Sequence, residues 1–309
     1  VPVSPICPCL SCPTHGAGPA VSALCPFYPS SSMTDAQWAM LEPLLPPAGN
    51  TAGKGDRPEK HPRRVVLDAI FYLARGGISW AQLPSDFPPA KTVYDIFRRW
   101  AKNGVWQRIH DALRDRVRVR AGRNPLPSAA IVDSQTVRGA DTVPTASAGY
   151  GAGKKTKGRK RHVATDALGL LLTVVVTHAS IQDRDGAHRL LTALQARFCT
   201  VTHLWADGGY AGRLVRWART VLSLTVQVVK RTDNTAGFRL LPRRWVIERT
   251  LGWISKHRRC VRDYETLPEH HETMVHIAMI MTMSRRTHPP LTTVLRRPLR
   301  TIRPTTGRR

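Results

Sequence analysis

Acidic residues are scarce in this chain. Its 309 residues hold 21 Asp and Glu against 47 Lys and Arg, a formal charge of +26. Such a field draws polyanions, and DNA or RNA is the expected partner. Long hydrophobic runs are missing as well. The longest, LGLLLTVVV at 168–176, is far too short to span a bilayer and reads as a buried strand. No signal peptide is visible, which argues against a membrane partner and points to the cytoplasm, close to the nucleoid. Cysteine offers no disulfide framework. Four of six (Cys7, Cys9, Cys12, Cys25) crowd the start, and Cys199 and Cys260 stand alone, as suits a reducing compartment. The Cys7–Cys9 gap is tighter than structural zinc sites use, and no second knuckle follows. No GxxxxGK[ST] phosphate loop and no internal repeat is present.

What remains divides into four stretches. Residues 1–32, rich in Pro, Ser and Cys, are expected to be a disordered leader. Over 33–122 the apolar spacing predicts a compact all-helical domain. Thr34 or Asp35 caps a helix with Trp38, Leu41 and Leu45 on one face. A second helix runs from Pro62 to Gly76–Gly77, and two more follow in KTVYDIFRRWAKNG and VWQRIHDALRDRVRVRAG. A helix, a proline-rich turn and a basic helix make a helix-turn-helix-like arrangement, with Lys91, Arg98 and Arg99 on the reading helix; the plainer alternative is a solvated basic face. Over 123–288 the pattern becomes mixed α/β. Strands are expected at AAIVDSQTV, on both sides of a tight turn at 167–169, at TVTHLWAD and at LTVQVVKR, with helices between and an apolar helix last. A basic tail, 289–309, is expected to be flexible.

Three carboxylates need explaining. Asp133 lies in an apolar strand, where aspartate is disfavoured without a task. Asp207 ends the strand of HLWAD. Glu248 lies on a basic helix, with Arg244 one turn earlier on the same face. Two strand carboxylates and one helix carboxylate offer hard oxygen ligands suited to Mg2+, with Mn2+ as a substitute. A pair of such ions can drive phosphodiester chemistry. The competing reading is local: Asp133 caps a turn, Asp207 starts a helix and Glu248 is solvated. Turn and cap duties account for Asp166, Asp183 and Asp185, although Asp183 could also stand near the site.

The run GAGKKTKGRKRH at 151–162 is expected to be a flexible loop whose Lys154, Lys155, Lys157, Arg159, Lys160 and Arg161 track a nucleic-acid backbone. Arg244 and Lys256 extend that basic surface.

Taken in order, MTDAQWAMLEPLLP, HPRRVVLDAIFYLARGGISWAQLP, KTVYDIFRRW, IVDSQTV, GKKTKGRKRHVATDALGLLLTVVVT, QDRDGA, WADGGY, LPRRWVIERTLGW and RDYETLP cover about 33–287. This set resembles the DDE-class transposases of bacterial insertion sequences, the insertion sequence five group. The resemblance implies an RNase H-like catalytic core behind a helical DNA-binding region, with Asp133, Asp207 and Glu248 as the catalytic acids. It implies oligomers bound to terminal inverted repeats of double-stranded DNA. Cleavage at the element's ends would be followed by joining of the 3′ hydroxyl to target DNA. Two further outcomes stay open: a nuclease that cuts without joining, and an inactive DNA-binding remnant. The family's pattern around the glutamate is Tyr, two residues, Arg, three residues, Glu, six residues, Lys. Arg244 and Glu248 match it; Leu241 stands at the tyrosine position and Ser255 at the lysine position, with Lys256 one step late.

Overall fold

The computed structural model describes residues 27–47, 59–229 and 244–287. The leader cysteines, Leu241 and the tail lie outside them. Helix α1 (Asp35–Leu41) starts at a reciprocal cap, in which the Thr34 hydroxyl accepts from the Gln37 amide and the Gln37 side chain accepts from the Thr34 amide. Helices α2 (Arg63–Gly76), α3 (Ala90–Lys102) and α4 (Val105–Arg120) complete the helical region. Their buried positions recur at helical spacing, as Val66, Ile70, Leu73 and Ala74 do on α2.

The rest is a six-stranded mixed sheet with helices on both faces. Strand β1 (Ala129–Arg138) is central. It pairs antiparallel with β3 (Thr156–Thr165) and parallel with β5 (His203–Ala206), and β6 (Thr225–Val228) extends the parallel side. On the other edge of β3 lie β2 (Gly149–Gly151) and then β4 (Leu171–His178). The β3–β4 turn needs Gly169, at φ 80°, and Asp166 closes it by accepting from the Leu168 and Leu170 amides. Arg118 reaches over from α4 to pair with Asp166, tying the helical region to this hairpin. The basic run expected to be a loop is therefore mostly β3. Its backbone is held in three ladders, and only the turn from Ala152 to Lys155 is free of them.

Strand alternation divides the core. Ala130, Val132, Ala164 and Leu204 face α5 (Asp183–Arg197) and α6 (Arg213–Leu222). Ile131, Val163 and Val174 belong to the opposite cluster, with α7 (Arg244–Ser255) and α8 (Pro268–Thr287). Helix α8 is buried almost all round, from Met274 through Met283. It contacts β4 as well as α2, α3 and α4, so sheet and N-terminal helices share one continuous core. Burying each of its Ile and Met side chains contributes about 1.5–3 kcal/mol.

Candidate active site

The parallel pairing of β1 and β5 places the two strand acids. Ile131 stands opposite Trp205, and Asp133 and Asp207 each lie two residues further along. Both therefore project on the same face, at the same level, from neighbouring strands at the carboxyl end of the parallel pair. That face is covered by α7, which carries Glu248 and Arg244. The Arg244 guanidinium stands between acids, 3.8 Å from Asp207 Oδ2 and 3.9 Å from Glu248 Oε1. Asp207 and Glu248, far apart in sequence, thus share one arginine at distances too long for tight charge-assisted hydrogen bonds, and its charge also reaches Asp133.

Backbone amides aim the strand acids. The Ser134 N–H donates to Asp133 Oδ1 and the Gly209 N–H donates to Asp207 Oδ1, each at 2.8 Å. Burial pushes the Asp133 carboxyl up to about 6, and the negative charges of Asp207 and Asp183 add to this; the Ser134 amide and Arg244 oppose it.

Two further groups crowd the same place. Asp183, in the first turn of α5, accepts from Ser134 Oγ at 2.7 Å and pairs with Lys160 Nζ at 2.9 Å. The Tyr210 hydroxyl is buried beside Ser134, and its pKa is raised by burial and then by the charges of Asp133 and Asp183, against the Ser134 hydroxyl. Helix α5 takes both Asp183 and Asp185 into its first turn, where a carboxylate is favoured. Sequence reasoning passed over Ser134 and Tyr210; the signal was a hydroxyl beside each strand acid, in DSQ and in DGGY.

The sequence-predicted basic residues separate into groups. Lys154, Lys155 and Lys157 are exposed around the β2–β3 turn. Arg159 and Arg161 are buried, each only 1% exposed. Arg159 donates to Asp263, to the carbonyls of Glu265 and Thr266, and to Ser147. Arg161 donates to Gln135 and to the Cys260 carbonyl. Both guanidinium groups are spent inside the protein, which removes them from contact with a DNA backbone. Lys160 is tied to Asp183 and to the Ile181 carbonyl. Lys256 is exposed after α7. On α3, Lys91 is exposed and pairs with Asp95 at 3.1 Å, while Arg98 and Arg99 are exposed near the other end. Arg99 lines a cleft of about 650 Å³ with Lys60, His61, Arg63 and Arg108.

Among the described residues, no three His, Cys, Asp or Glu side chains stand close enough to hold a metal ion between them. The donor chemistry nevertheless fits a divalent cation. The oxygens are hard, burial and neighbouring acids raise the proton affinity of Asp133, and Arg244 sits at long range.

A mixed sheet with acids at the ends of two adjacent central strands and a third on the flanking helix is an RNase H-like core joined to a helical region. Residues 124–283, more than half of the chain, match the transposase DDE domain, and residues 33–110 match a transposase family of IS4/5 type. The chain belongs to the DDE-domain transposases. It is 32% identical over 112 residues to the "Insertion element IS402 uncharacterized 16.2 kDa protein" of Burkholderia cepacia, covering 34% of this chain and 71% of that protein. It is 33% identical over 73 residues to "Uncharacterized protein y4sN" of Sinorhizobium fredii (strain NBRC 101917 / NGR234), covering 24% of this chain and 55% of that one. No described helix is long and apolar enough to cross a membrane.

Proposed function

We propose that this protein is a DNA transposase that cleaves at the ends of an insertion sequence and joins the freed 3′ hydroxyl to target DNA. The observation that carries the reading is the placement of Asp133 and Asp207 at one level on adjacent parallel strands, with Glu248 joined to them through Arg244. Asp133, Asp207 and Glu248 would hold Mg2+, or Mn2+ in its place. When bound, the metal supplies a lowered pKa for the attacking water or hydroxyl and charge stabilisation at the leaving oxygen.

The chain's own groups prepare that chemistry. Each strand acid has one oxygen fixed by a backbone amide, so its other oxygen is presented in a set direction. Arg244 neutralises part of the acid charge before substrate arrives and is placed to grip a phosphate afterwards. The exposed lysines at the β2–β3 turn, with Lys256, provide backbone contacts. Lys91, Arg98 and Arg99 provide the recognition surface for the terminal repeat. Oligomerisation on paired DNA ends, and a cytoplasmic, nucleoid-associated site of action, belong to the same reading.

The test is a strand-transfer assay with the element's ends and a supercoiled target. The wild-type chain is expected to cut and join in the presence of Mg2+. Asp133→Asn, Asp207→Asn and Glu248→Gln should each lose more than the roughly 100-fold that loss of an outer metal-site partner costs. Cutting without joining would reduce the protein to a nuclease. Undiminished joining by Asp207→Asn would remove the proposal.

A further inference from the structure

Asp183 belongs to no part of the chemistry described so far, yet its surroundings are built. Its Oδ1 receives both the Ser134 hydroxyl, at 2.7 Å, and the Lys160 ammonium, at 2.9 Å. Lys160 is itself mostly covered and also donates to the Ile181 carbonyl at 2.7 Å, so the ammonium is fixed at two points just ahead of α5. The other oxygen, Oδ2, looks across Gly209 toward Asp207. A Cβ added at Gly209 would stand 3.1 Å from Asp207 Oδ1 and 3.8 Å from Asp183 Oδ2. Both carboxylates therefore reach within 4 Å of the point where a side chain at Gly209 would begin. The Tyr210 hydroxyl, buried beside Ser134, lies within the influence of Asp133, Asp183 and Asp207.

The helix bearing Asp183 is itself held close. Gly186 packs directly on the His162 ring, where an added Cβ would fall 2.2 Å from ring atoms. No larger residue fits there without pushing the start of α5 off the sheet. Ser134 is the hinge of the arrangement: its backbone N–H holds Asp133 Oδ1 while its hydroxyl is held by Asp183. A fixed Ser134 means a fixed direction for Asp133.

We propose that Asp183 is a positioning residue of the acid cluster, aiming Asp133 through Ser134 and holding Lys160 beside the cluster as a fixed cation. The inference rests on the reading of Asp133 and Asp207 as metal-holding acids. Asp183 acts on the metal through those groups, in the way that outer hydrogen-bond partners hold the orientation of metal-binding carboxylates. A helix cap or a surface ion pair would have no such influence.

The test is Mn2+ binding to the full chain without DNA, followed by isothermal titration calorimetry, with circular dichroism to confirm folding. Asp183→Asn and Ser134→Ala should each weaken Mn2+ binding about 10- to 100-fold. The double variant should be no weaker than the worse single one, because both remove the same link. Lys160→Met should weaken binding less than Asp183→Asn, since the Ser134 link survives. Should Asp183→Asn fail to fold, Ser134→Ala decides alone. A purely structural Asp183 would lower the melting temperature and leave Mn2+ affinity of the folded protein unchanged; that result overturns the inference. Asp207→Asn is the control that separates the two claims. Lost binding in Asp207→Asn with full binding in Asp183→Asn and Ser134→Ala sinks the positioning role only. Full binding in Asp207→Asn sinks the metal-holding reading itself.

Discussion

Two clusters of charge sit on this sheet, and they are built in opposite ways. At the far end of β3, Asp263 is fully buried, and Arg159 Nη1 lies 3.0 Å from its Oδ2 while His271 Nδ1 lies 3.2 Å from its Oδ1. Arg259 pairs with Glu265 at 2.8 Å alongside. Burial alone would raise the Asp263 pKa, but His271, the Glu265 amide and Arg159 more than offset it and hold it below the usual carboxylate range. Around Asp133 the balance is reversed. Burial and the charges of Asp207 and Asp183 outweigh the Ser134 amide and a distant Arg244, and its proton affinity rises. Both clusters draw on the same few acids of a strongly basic chain. The cluster matched with cations holds the fold; the other, on the proposed reading, takes a metal ion.

The difference can be tested by exchanging the readouts. The largest effect expected is on activity: Asp207→Asn should abolish DNA joining yet leave the melting temperature almost unchanged, because a half-exposed acid among acids stabilises little. Asp263→Asn should do the reverse. Removing one member of a buried ion pair costs about 3–5 kcal/mol. At roughly 2–4 °C per kcal/mol for a protein of this size, the midpoint should fall by about 10 °C in thermal unfolding. If Asp207→Asn destabilised the fold as much as Asp263→Asn, the contrast between the clusters would be lost.

A smaller effect comes from Glu272 on α8, a largely covered acid without an ion pair among the described residues. Burial pushes its carboxyl up to about 7, and the charge of Glu269 adds to this, against the Val176 amide that donates to it at 2.8 Å and the charge of Arg189. The folded protein therefore binds the proton more tightly than the unfolded chain. Stability from this group is full below about pH 4.5 and is lost as pH rises through about 7. Glu272→Gln keeps an acceptor for the Val176 amide and cannot ionise. It should unfold at a higher temperature than the parent at pH 8, by an amount worth up to about 3 kcal/mol, and match it at pH 4. No difference between the two pH values would remove Glu272 from the list of strained acids.

Much of this was legible in the chain, and the failures have physical causes. The capping box at Thr34, the turn at Gly169 and the apolar strand leading to Asp133 are local patterns, and local patterns can be read directly. Asp133 and Asp207 stand out because carboxylates in or at the end of apolar strands are conspicuous; Glu248, on a helix, stands out only beside Arg244. The basic run at 151–162 was misread because its meaning is not local. Lys157, Arg159 and Arg161 share one face of β3. The segment that supplies partners to the two arginines, from Cys260 to Thr266, lies about a hundred residues later in sequence. Nothing near position 159 signals that cover. Asp183 was only partly legible for a similar reason: a cap role and a place near the site can be read, but its approach to Ser134 depends on α5 settling over β1.

That same run gives the finest test of the comparison, since exposed Lys154, Lys155 and Lys157 stand beside buried Arg159 and Arg161 on one short stretch. Each phosphate contact made by a lysine releases counterions and steepens the salt dependence of binding by roughly 0.9 on a double-logarithmic plot. Lys154→Ala, Lys155→Ala and Lys157→Ala should each make that slope shallower by up to about one, with little change in thermal stability. Measurements on the Asp207→Asn background, by fluorescence anisotropy on a terminal-repeat duplex, avoid cleavage during the titration. Arg161→Met should leave the slope where it was and lower the melting temperature, because its guanidinium serves Gln135 and the Cys260 carbonyl. A slope change in Arg161→Met equal to that of the lysines would mean the arginine reaches DNA after all. The division between cations that hold the protein and cations that hold its substrate would then have to be redrawn along β3.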